Sequence, residues 1–119
     1  MPEKRRVTAV VPYNDLAATE HFYGLLGFRR DPDATDHGDY VLLFDEGGAE
    51  LHLSKAPPGW LVPGRSAYGI YFYAENVEEL ASRLEGRLLH GPKQQPWGMF
   101  EFAVSDPDEN LVRVGRASP

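Results

Sequence analysis

The sequence predicts an α+β protein made of two copies of a strand–helix–strand–strand–strand unit, which form a curved mixed sheet around a cleft. Short runs rich in β-branched and aromatic residues flank two segments whose apolar residues recur at helical spacing. This order of segments occurs in residues 7–53 and again in residues 68–114, with a period of about 60 residues. Such a period is too long for a solenoid repeat and indicates a duplicated βαβββ module. Each strand then has one face toward a helix and one face toward the cleft.

The first module begins with a β-branched run at 7–12, which predicts a strand. Asn14 or Asp15 can cap the helix that follows, and Gly27 ends it. The apolar face of this helix is formed by Leu16, Thr19, Phe22, Tyr23 and Leu26. Phe28 begins the next strand. The last two strands are predicted at 40–44 and 49–53, joined by a glycine-containing turn.

The second module repeats this order after a Pro- and Gly-rich connection at 56–64. A strand at 68–74 precedes Asn76, which is a predicted helix cap with Glu79 in the capping-box position. The apolar stripe of this helix is formed by Val77, Leu80, Ala81 and Leu84. Gly86 ends the helix. The remaining strands are predicted to begin at 87–89 and to lie at 99–104 and 111–114, with a loop at 92–98.

Length and composition limit the classes of function. The 119 residues predict one domain, 1–119, with modules at about 5–55 and 66–116. The absence of cysteine excludes disulfides and thiolate-ligated metals. A net charge of −6 argues against nucleic acid as a partner. Since the sequence has no long apolar run and a polar N-terminus, we expect a cytoplasmic protein without a membrane partner.

One part of the sequence is strongly acidic. Residues 31–54 contain no Lys or Arg but seven carboxylates. Two interpretations remain open, a solvated loop with a hairpin edge, or an acidic rim that favours a cationic ligand.

Several motifs resemble those of one superfamily. Asn14-Asp15-Leu16 with the segment HFYGLLGF at 21–28 is similar to a first helix that ends in FYxxLGF, and 49–53 is similar to a fourth strand. Trp97-Gly98 with Asp106-Pro107-Asp108 resembles a last hairpin. Together these motifs resemble the glyoxalase/bleomycin-resistance/dioxygenase superfamily, also called vicinal oxygen chelate proteins, over residues 7–116. Gln95-Pro96-Trp97-Gly98 looks particularly like bleomycin-resistance proteins.

The last turn departs from this pattern. Members of the superfamily usually have glycine where this chain has Glu109. We therefore expect the turn to take its positive-φ residue at Asn110.

The resemblance also implies where a metal would bind. Metal-using members place one ligand on each of four cleft-facing strand positions, and here those positions hold Thr8, Glu50, Gly69 and Arg113. Only Glu50 is a plausible ligand, and the fixed charge of Arg113 would repel a metal ion. We therefore expect no metal or other cofactor. A weak two-donor pair of Glu50 and His52 is the alternative, and in a third interpretation Glu50 pairs with Arg113.

Without a metal, the aromatic residues indicate what the cleft binds. Tyr71 and Tyr73 share the strand face of Gly69, and the loops carry Trp60 and Trp97. Indoles stack on planar heteroaromatic groups and attract cations. The predicted ligand-binding residues are Trp60, Trp97, Glu50, His52, Tyr71, Tyr73 and Arg113. In the alternative interpretations Trp60 is a lid over the core, and Trp97 packs in a dimer interface.

The resemblance favours a metal-independent protein that binds and sequesters a planar, cationic small molecule, such as a bleomycin-like antibiotic, and so confers resistance. In the proteins that it resembles, two chains form the binding crevices, which implies a homodimer. No catalytic residue is assigned. One alternative is a divergent glyoxalase-class lyase or isomerase, or a dioxygenase-related enzyme, that uses Glu50 and His52. Another is a ligand-sensing or immunity module.

Overall fold

Two mixed β-sheets and two helices form the structure, a computed structural model that describes residues 5–65 and 68–118. The elements in chain order are β1 (Ala9–Tyr13), α1 (Leu16–Leu25), β2 (Tyr40–Phe44), β3 (Glu50–Lys55), β4 (Gly69–Tyr73), α2 (Val77–Arg83), β5 (Leu88–Gln94), β6 (Met99–Ser105) and β7 (Leu111–Ala117). The predicted α+β class is therefore confirmed. The assignment of 1–119 to one domain stays a prediction. Its outermost residues, 1–4 and 119, and the predicted start of the second module at 66 lie outside the described residues.

The two sheets are built by the same rule, which fits a duplicated module. In the first sheet, of order β1-β3-β2, β3 pairs in parallel with β1 and antiparallel with β2. In the second sheet, of order β4-β7-β6-β5, β7 pairs in parallel with β4 and antiparallel with β6. In each sheet the first strand of a module therefore lies beside the last strand of the same module.

The strand predicted to begin at Phe28 is reduced to one bridge. Arg29 exchanges two backbone hydrogen bonds with Phe44, each 2.8 Å long, and the pairing goes no further. The residues that follow are polar and exposed, and Pro32 has no backbone N–H. These residues therefore provide neither an apolar face nor an unbroken series of backbone N–H donors for pairing with β2.

The two helices begin differently. Asp15 caps α1, since its side chain accepts a hydrogen bond of 3.1 Å from the backbone N–H of Ala18. The capping box predicted for α2 is wrong, because the side chain of Asn76 makes no cap and donates instead to the Glu79 carboxylate at 3.2 Å. The backbone of Asn76 is not extended as that of Asp15 is, so its side chain does not reach the free N–H groups of the helix. Within the described residues, neither helix is long and apolar enough to cross a membrane.

One hydrophobic cluster holds both modules together. Its buried side chains come from both helices and from strands of both sheets, including Phe22 and Val77 from the helices and Leu53 and Phe102 from the strands. On β4, Ile70 and Phe72 pack against this cluster. As predicted from alternation, the tyrosines of β4 therefore lie on the opposite face, which points away from the helices.

The Asp106-Pro107-Asp108 turn attaches the last hairpin to the first module. The buried carboxylate of Asp106 accepts four hydrogen bonds, from the hydroxyl of Tyr23, the backbone of Asp108, and the backbone and side chain of Asn110. The carboxylate of Asp108 accepts a further bond of 2.9 Å from the side chain of Asn14. Because Tyr23 lies on α1 and Asn14 directly before it, the turn fixes the two modules relative to each other.

The prediction that Asn110 takes the left-handed conformation in this turn is wrong. Glu109 itself has φ 61°, the one described non-glycine residue with positive φ. Asn110 is buried and bound twice to Asp106, whereas Glu109 is exposed and can accept the strain. A left-handed non-glycine residue costs about 1–2 kcal/mol, which the four bonds to Asp106 offset.

Candidate functional site

A buried carboxylate lies at the centre of the second sheet. Glu101 is the one charged residue of β6, and its exposed fraction is 0%. Its Oε1 atom accepts a hydrogen bond of 2.7 Å from the indole of Trp97 and one of 3.1 Å from the hydroxyl of Tyr71. Its Oε2 atom lies 3.7 Å from Nε of Arg113. We call Tyr71, Tyr73, Trp97, Glu101 and Arg113 the Glu101 cluster.

Strand register brings the cluster together. Arg113 of β7 pairs with Tyr71 on one side and with Ala103 on the other. Gly115, two residues further along β7, pairs with Tyr73 and with Glu101. Paired residues point to the same face of a sheet, so these side chains share one surface.

Trp97 reaches this surface from the turn between β5 and β6. Gly98 follows it with φ 84°, and its backbone N–H bonds to the carbonyl of Gln95, which closes the turn. The turn folds the indole back over its own strand, where it meets Glu101 four residues later. The positive φ explains why glycine occupies position 98.

Gly115 provides the space that the cluster needs. A Cβ atom at this position would lie 2.8 Å from Cβ of Glu101, 3.0 Å from the carbonyl oxygen of Phe100, and even closer to the hydroxyl of Tyr71. Contacts this short do not occur in folded proteins without movement of the neighbours. The absence of a side chain therefore allows Tyr71 to reach the carboxylate.

The charged atoms at the centre of the cluster form one buried ion pair. Oε2 of Glu101 and Nε of Arg113 are both buried and have no hydrogen-bond partner within the described residues, so they serve each other only as an ion pair. A buried carboxylate is costly unless a cation and hydrogen-bond donors surround it, and here Arg113, Trp97 and Tyr71 do so. Burial, the hydrogen bond to Glu101 and the charge of Glu101 raise the pKa of Tyr71 to about 12, so its hydroxyl stays a donor.

Aromatic surfaces remain open above this buried pair. Trp97 is 55% exposed and Tyr73 is 79% exposed. The rings of Tyr71 and Tyr73 lie 5.0 Å apart, and Cζ of Arg113 lies 5.6 Å from the centre of the indole ring. The cluster therefore presents two exposed aromatic groups and a guanidinium to solvent.

A second polar group lies on the first sheet. The Nε2 atom of His52 is 2.7 Å from Oε1 of Glu50, and its Nδ1 atom is 2.7 Å from the hydroxyl of Tyr40. In the neutral imidazole that satisfies both contacts, Nε2–H donates to Glu50 and Nδ1 accepts from Tyr40. Arg6 lies 3.7 Å from the other oxygen of Glu50. We call Tyr40, Glu50 and His52 the His52 cluster.

Trp60 belongs to neither cluster. It is 82% exposed and lines a hollow of about 600 Å³ beside the connection between the modules. The other apolar side chains of the hollow are Val10, Pro12, Ala56, Pro57, Leu61, Val62 and Tyr68. No member of either cluster lines this hollow.

The structure divides the predicted site residues into three groups. Tyr71, Tyr73, Trp97 and Arg113 come together, Glu50 and His52 lie on the other sheet, and Trp60 belongs to the hollow. The proposed pair of Glu50 with Arg113 is wrong, because the two residues belong to different sheets and have other partners.

Sequence reasoning missed Glu101, which completes the second-sheet group. A signal for it existed, since it is the one charge in the otherwise apolar run 99–104. A charge at such a position must be paired or hydrogen-bonded if the strand is buried.

The residues present do not fit a divalent metal ion. Within the described residues, no group of three or more potential side-chain ligands is close enough to hold one. Of the four strand positions that metal-using members employ, only Glu50 carries a donor of the right type, and it is engaged by His52 and Arg6. Gly69 has no side chain, and Arg113 brings a positive charge.

The fold is similar to that of several solved structures. A bleomycin resistance determinant encoded on the transposon Tn5 has a TM-score of 0.77 and 24% identity, with 98% of this chain and 100% of that chain covered. A bleomycin-binding protein in complex with bleomycin has a TM-score of 0.76 and 25% identity, with coverage of 97% and 100%. TnmS3, an antibiotic-binding protein from Streptomyces sp. CB03234, has a TM-score of 0.76 and 28% identity, with coverage of 99% of each chain.

In sequence, the chain matches a family profile but no single curated protein. No curated protein matches the chain significantly in sequence. The sequence profile of the Glyoxalase/Bleomycin resistance protein/Dioxygenase superfamily matches residues 5–114, and the chain therefore belongs to this superfamily.

Proposed function

We propose that this protein binds and sequesters a planar small molecule of the bleomycin-like antibiotic type, without a metal ion and without altering it. The observation that carries the proposal is the Glu101 cluster, in which the exposed rings of Trp97 and Tyr73 lie beside a guanidinium that a buried carboxylate supports. Open aromatic surfaces with a fixed polar group are typical of sites for planar ligands.

The similar structures support binding over catalysis. One of them is a bleomycin-binding protein in complex with bleomycin, and another is an antibiotic-binding protein. The misfit of the four metal positions points the same way, since the superfamily's metal-dependent enzymes need several ligands there.

Charge favours a ligand that is cationic in part. The chain has a net charge of −6, and residues 31–40, which include four aspartates, are exposed throughout. Such a surface attracts cations over a distance of about one Debye length. This attraction increases the rate of association more than it increases the affinity of the final complex.

We further propose a homodimer whose crevices combine surfaces of two chains. In such a crevice the His52 cluster of one chain and the Glu101 cluster of its partner can contact one ligand, which would unite residues that lie on separate sheets here. Exposed apolar side chains such as Val10, Trp60 and Val62 supply surface that a partner could cover. Light scattering at micromolar concentration should give twice the chain mass of 13.3 kDa, and a mass of one chain would contradict the dimer.

Calorimetric titration with metal-free bleomycin, in the presence of a chelator, tests the function. Wild type should bind, and Trp97→Ala should weaken binding about tenfold, the loss expected for one stacking contact. Leu89→Ala is the control, because Leu89 is an exposed apolar side chain of β5 outside both clusters and its loss should leave the affinity unchanged. No heat at high micromolar drug would exclude bleomycin as the ligand.

An enzyme of the glyoxalase class is the second candidate, and one observation favours it. The chain from Glu50 through His52 to Tyr40 has the contacts of an acid–base relay. Purified protein should then contain stoichiometric nickel, zinc or manganese that Glu50→Ala removes. Protein that stays free of metal after these ions are added would count against this enzyme.

A sensing or immunity role would appear in the genomic neighbourhood, and the cytoplasmic location stays a prediction from the sequence.

A further inference from the structure

We propose that the ligand carries a planar oxygen acceptor, a carbonyl or a carboxylate attached to its aromatic ring, and that Arg113 binds this acceptor. The inference rests on the proposed function, because it describes how a planar ligand would be oriented on the Glu101 cluster. It adds a chemical requirement that the acidic composition of the chain does not indicate.

A ligand cannot reach the carboxylate of the cluster. Glu101 is 0% exposed, and its Oε1 atom is already bound by Trp97 and Tyr71. Its Oε2 atom is buried and faces Arg113 at 3.7 Å. A cationic group of a ligand therefore finds no accessible anion in this cluster.

Arg113 supplies the hydrogen-bond donors of the cluster that a ligand can reach. The indole N–H of Trp97 and the hydroxyl of Tyr71 both point to Glu101 and are not available to a ligand. The side chain of Arg113 is 41% exposed, and within the described residues its Nε atom has no hydrogen-bond partner. Because Nε is buried toward Glu101, the exposed part of the group consists of the terminal amino groups. These are donors only, and they match the two oxygens of a carboxylate or the lone pairs of a carbonyl.

The neighbours of Arg113 orient its guanidinium. The guanidinium is held between the charge of Glu101 at 3.7 Å and the indole of Trp97, whose centre is 5.6 Å from Cζ. The ring of Tyr73 is exposed on the next position of the same face. A flat ligand that covers these rings would therefore bring a substituent in its plane to the amino groups of Arg113.

The net charge of the pair decides which substituents it can bind. Glu101 compensates the charge of Arg113, so the pair is neutral in total while the amino groups remain strong donors. A neutral carbonyl and a carboxylate can both use such a site. A cationic substituent without an acceptor gains nothing there and meets the guanidinium instead. Any cationic part of the ligand would then lie toward the acidic residues 31–46.

Three probes that share one ring system test the proposal. These are 2-acetylnaphthalene with a neutral carbonyl, 2-naphthoate with a carboxylate, and 2-naphthylmethylammonium with a cation and no acceptor. Binding is followed by the indole N–H resonance of Trp97 in ¹⁵N-labelled protein, and Trp60→Phe identifies which of the two indole signals is which. We expect both acceptor probes to bind about tenfold more tightly than the ammonium probe, as for a hydrogen bond to a charged donor.

Arg113→Gln should abolish this preference without weakening the ammonium probe. Arg87→Gln, which removes an exposed positive charge outside the cluster, should keep the preference and controls for the change in net charge. The order of affinities is measured first in the wild type, so the test does not depend on the folding of a variant.

Three results would overturn the inference: equal or tighter binding of the ammonium probe, a preference that survives Arg113→Gln, or no shift of the Trp97 signal with any probe. The bleomycin titration separates this inference from the proposed function. An acceptor preference without bleomycin binding would leave the inference in place and exclude bleomycin as the ligand. Bleomycin binding with a preference for the ammonium probe would retain the function and overturn the inference.

Discussion

At the scale of single residues, Gly115 determines whether the Glu101 cluster can form. The hydroxyl of Tyr71 occupies the space that any Cβ atom at position 115 would need. The need for glycine here is therefore steric, because φ of Gly115 is not positive. The cluster therefore requires the lack of a side chain at position 115 as well as the side chains of its own members.

Gly115→Ala should destabilise the protein by about 1–3 kcal/mol, because the new methyl group meets both a side chain and the rigid carbonyl of Phe100. Gly91→Ala is the matched control, since Gly91 is also a strand glycine of the second sheet but has open space around its Cβ position. Chemical denaturation of both variants measures the difference. Equal free energies of unfolding for the two variants would show that Gly115 is not required for this space.

The pKa of Tyr71 gives the cluster a signature at alkaline pH. A tyrosine whose pKa rises from 10.0 unfolded to about 12 folded stabilises the protein fully below pH 10 and loses this contribution as pH rises through 12. The difference in free energy of unfolding between wild type and Tyr71→Phe should therefore shrink between pH 10 and pH 12. A difference that stays constant over this range would contradict the contact with Glu101.

Glu101→Gln provides a second readout of the same contact. The amide keeps an acceptor but removes the negative charge, so the pKa of Tyr71 should fall, while burial of the phenol still holds it above its ordinary value. The ring-carbon resonance of Tyr71 in ¹³C-labelled protein follows this titration directly.

The sequence could predict part of this cluster and not the rest. Alternation along one strand is local, so it placed Tyr71 and Tyr73 on a common face. The partners across strands depend on register, and register between β4, β6 and β7 is set by the folded sheet. For this reason the sequence alone leaves a pair of Arg113 with Glu50 of the other sheet open, and it does not reveal Glu101 as the partner of Arg113.

At the scale of elements, the Asp106-Pro107-Asp108 turn connects the last hairpin with the first helix. The sequence identified the turn as a family motif, but Tyr23 and Asp106 are 83 residues apart and nothing local indicates that they meet. Burial and the nearby charge of Asp106 raise the pKa of Tyr23, so the phenol remains protonated and donates. The motif is therefore a connection between modules as well as a turn.

Asp106→Ala should destabilise the protein by roughly 3 kcal/mol or more, because it leaves the buried donors of Tyr23 and Asn110 without this acceptor. Asp36→Ala is the control, since Asp36 also accepts a backbone hydrogen bond in a turn but is exposed. Its loss should cost less than about 1 kcal/mol. Thermal unfolding of the two variants compares them, and similar losses would show that the buried network contributes little.

At the scale of the whole molecule, one core serves two sheets that carry different polar clusters. The core cluster joins side chains of both modules, and the Asp106 turn adds polar contacts between them. The duplicated order of elements could be predicted from hydrophobic periodicity. The separation of the seven predicted site residues into three groups could not, because it depends on how the two sheets are placed.

The shared core predicts one cooperative unfolding transition. In Trp60→Phe, the fluorescence of Trp97 reports the second module, and far-ultraviolet circular dichroism reports both modules. The two signals should have the same midpoint in denaturant. Two separate midpoints would show that the modules fold as independent units.

Binding of a planar ligand to the Glu101 cluster, without a metal ion, is the basis of the proposed function. The most direct measurement is the indole N–H signal of Trp97 during titration with metal-free bleomycin in the presence of a chelator. We expect a saturable shift of this signal, because the ligand covers the ring and disturbs its bond to Glu101. No shift of Trp97, or a saturable shift confined to Trp60, would show that the Glu101 cluster does not bind the ligand.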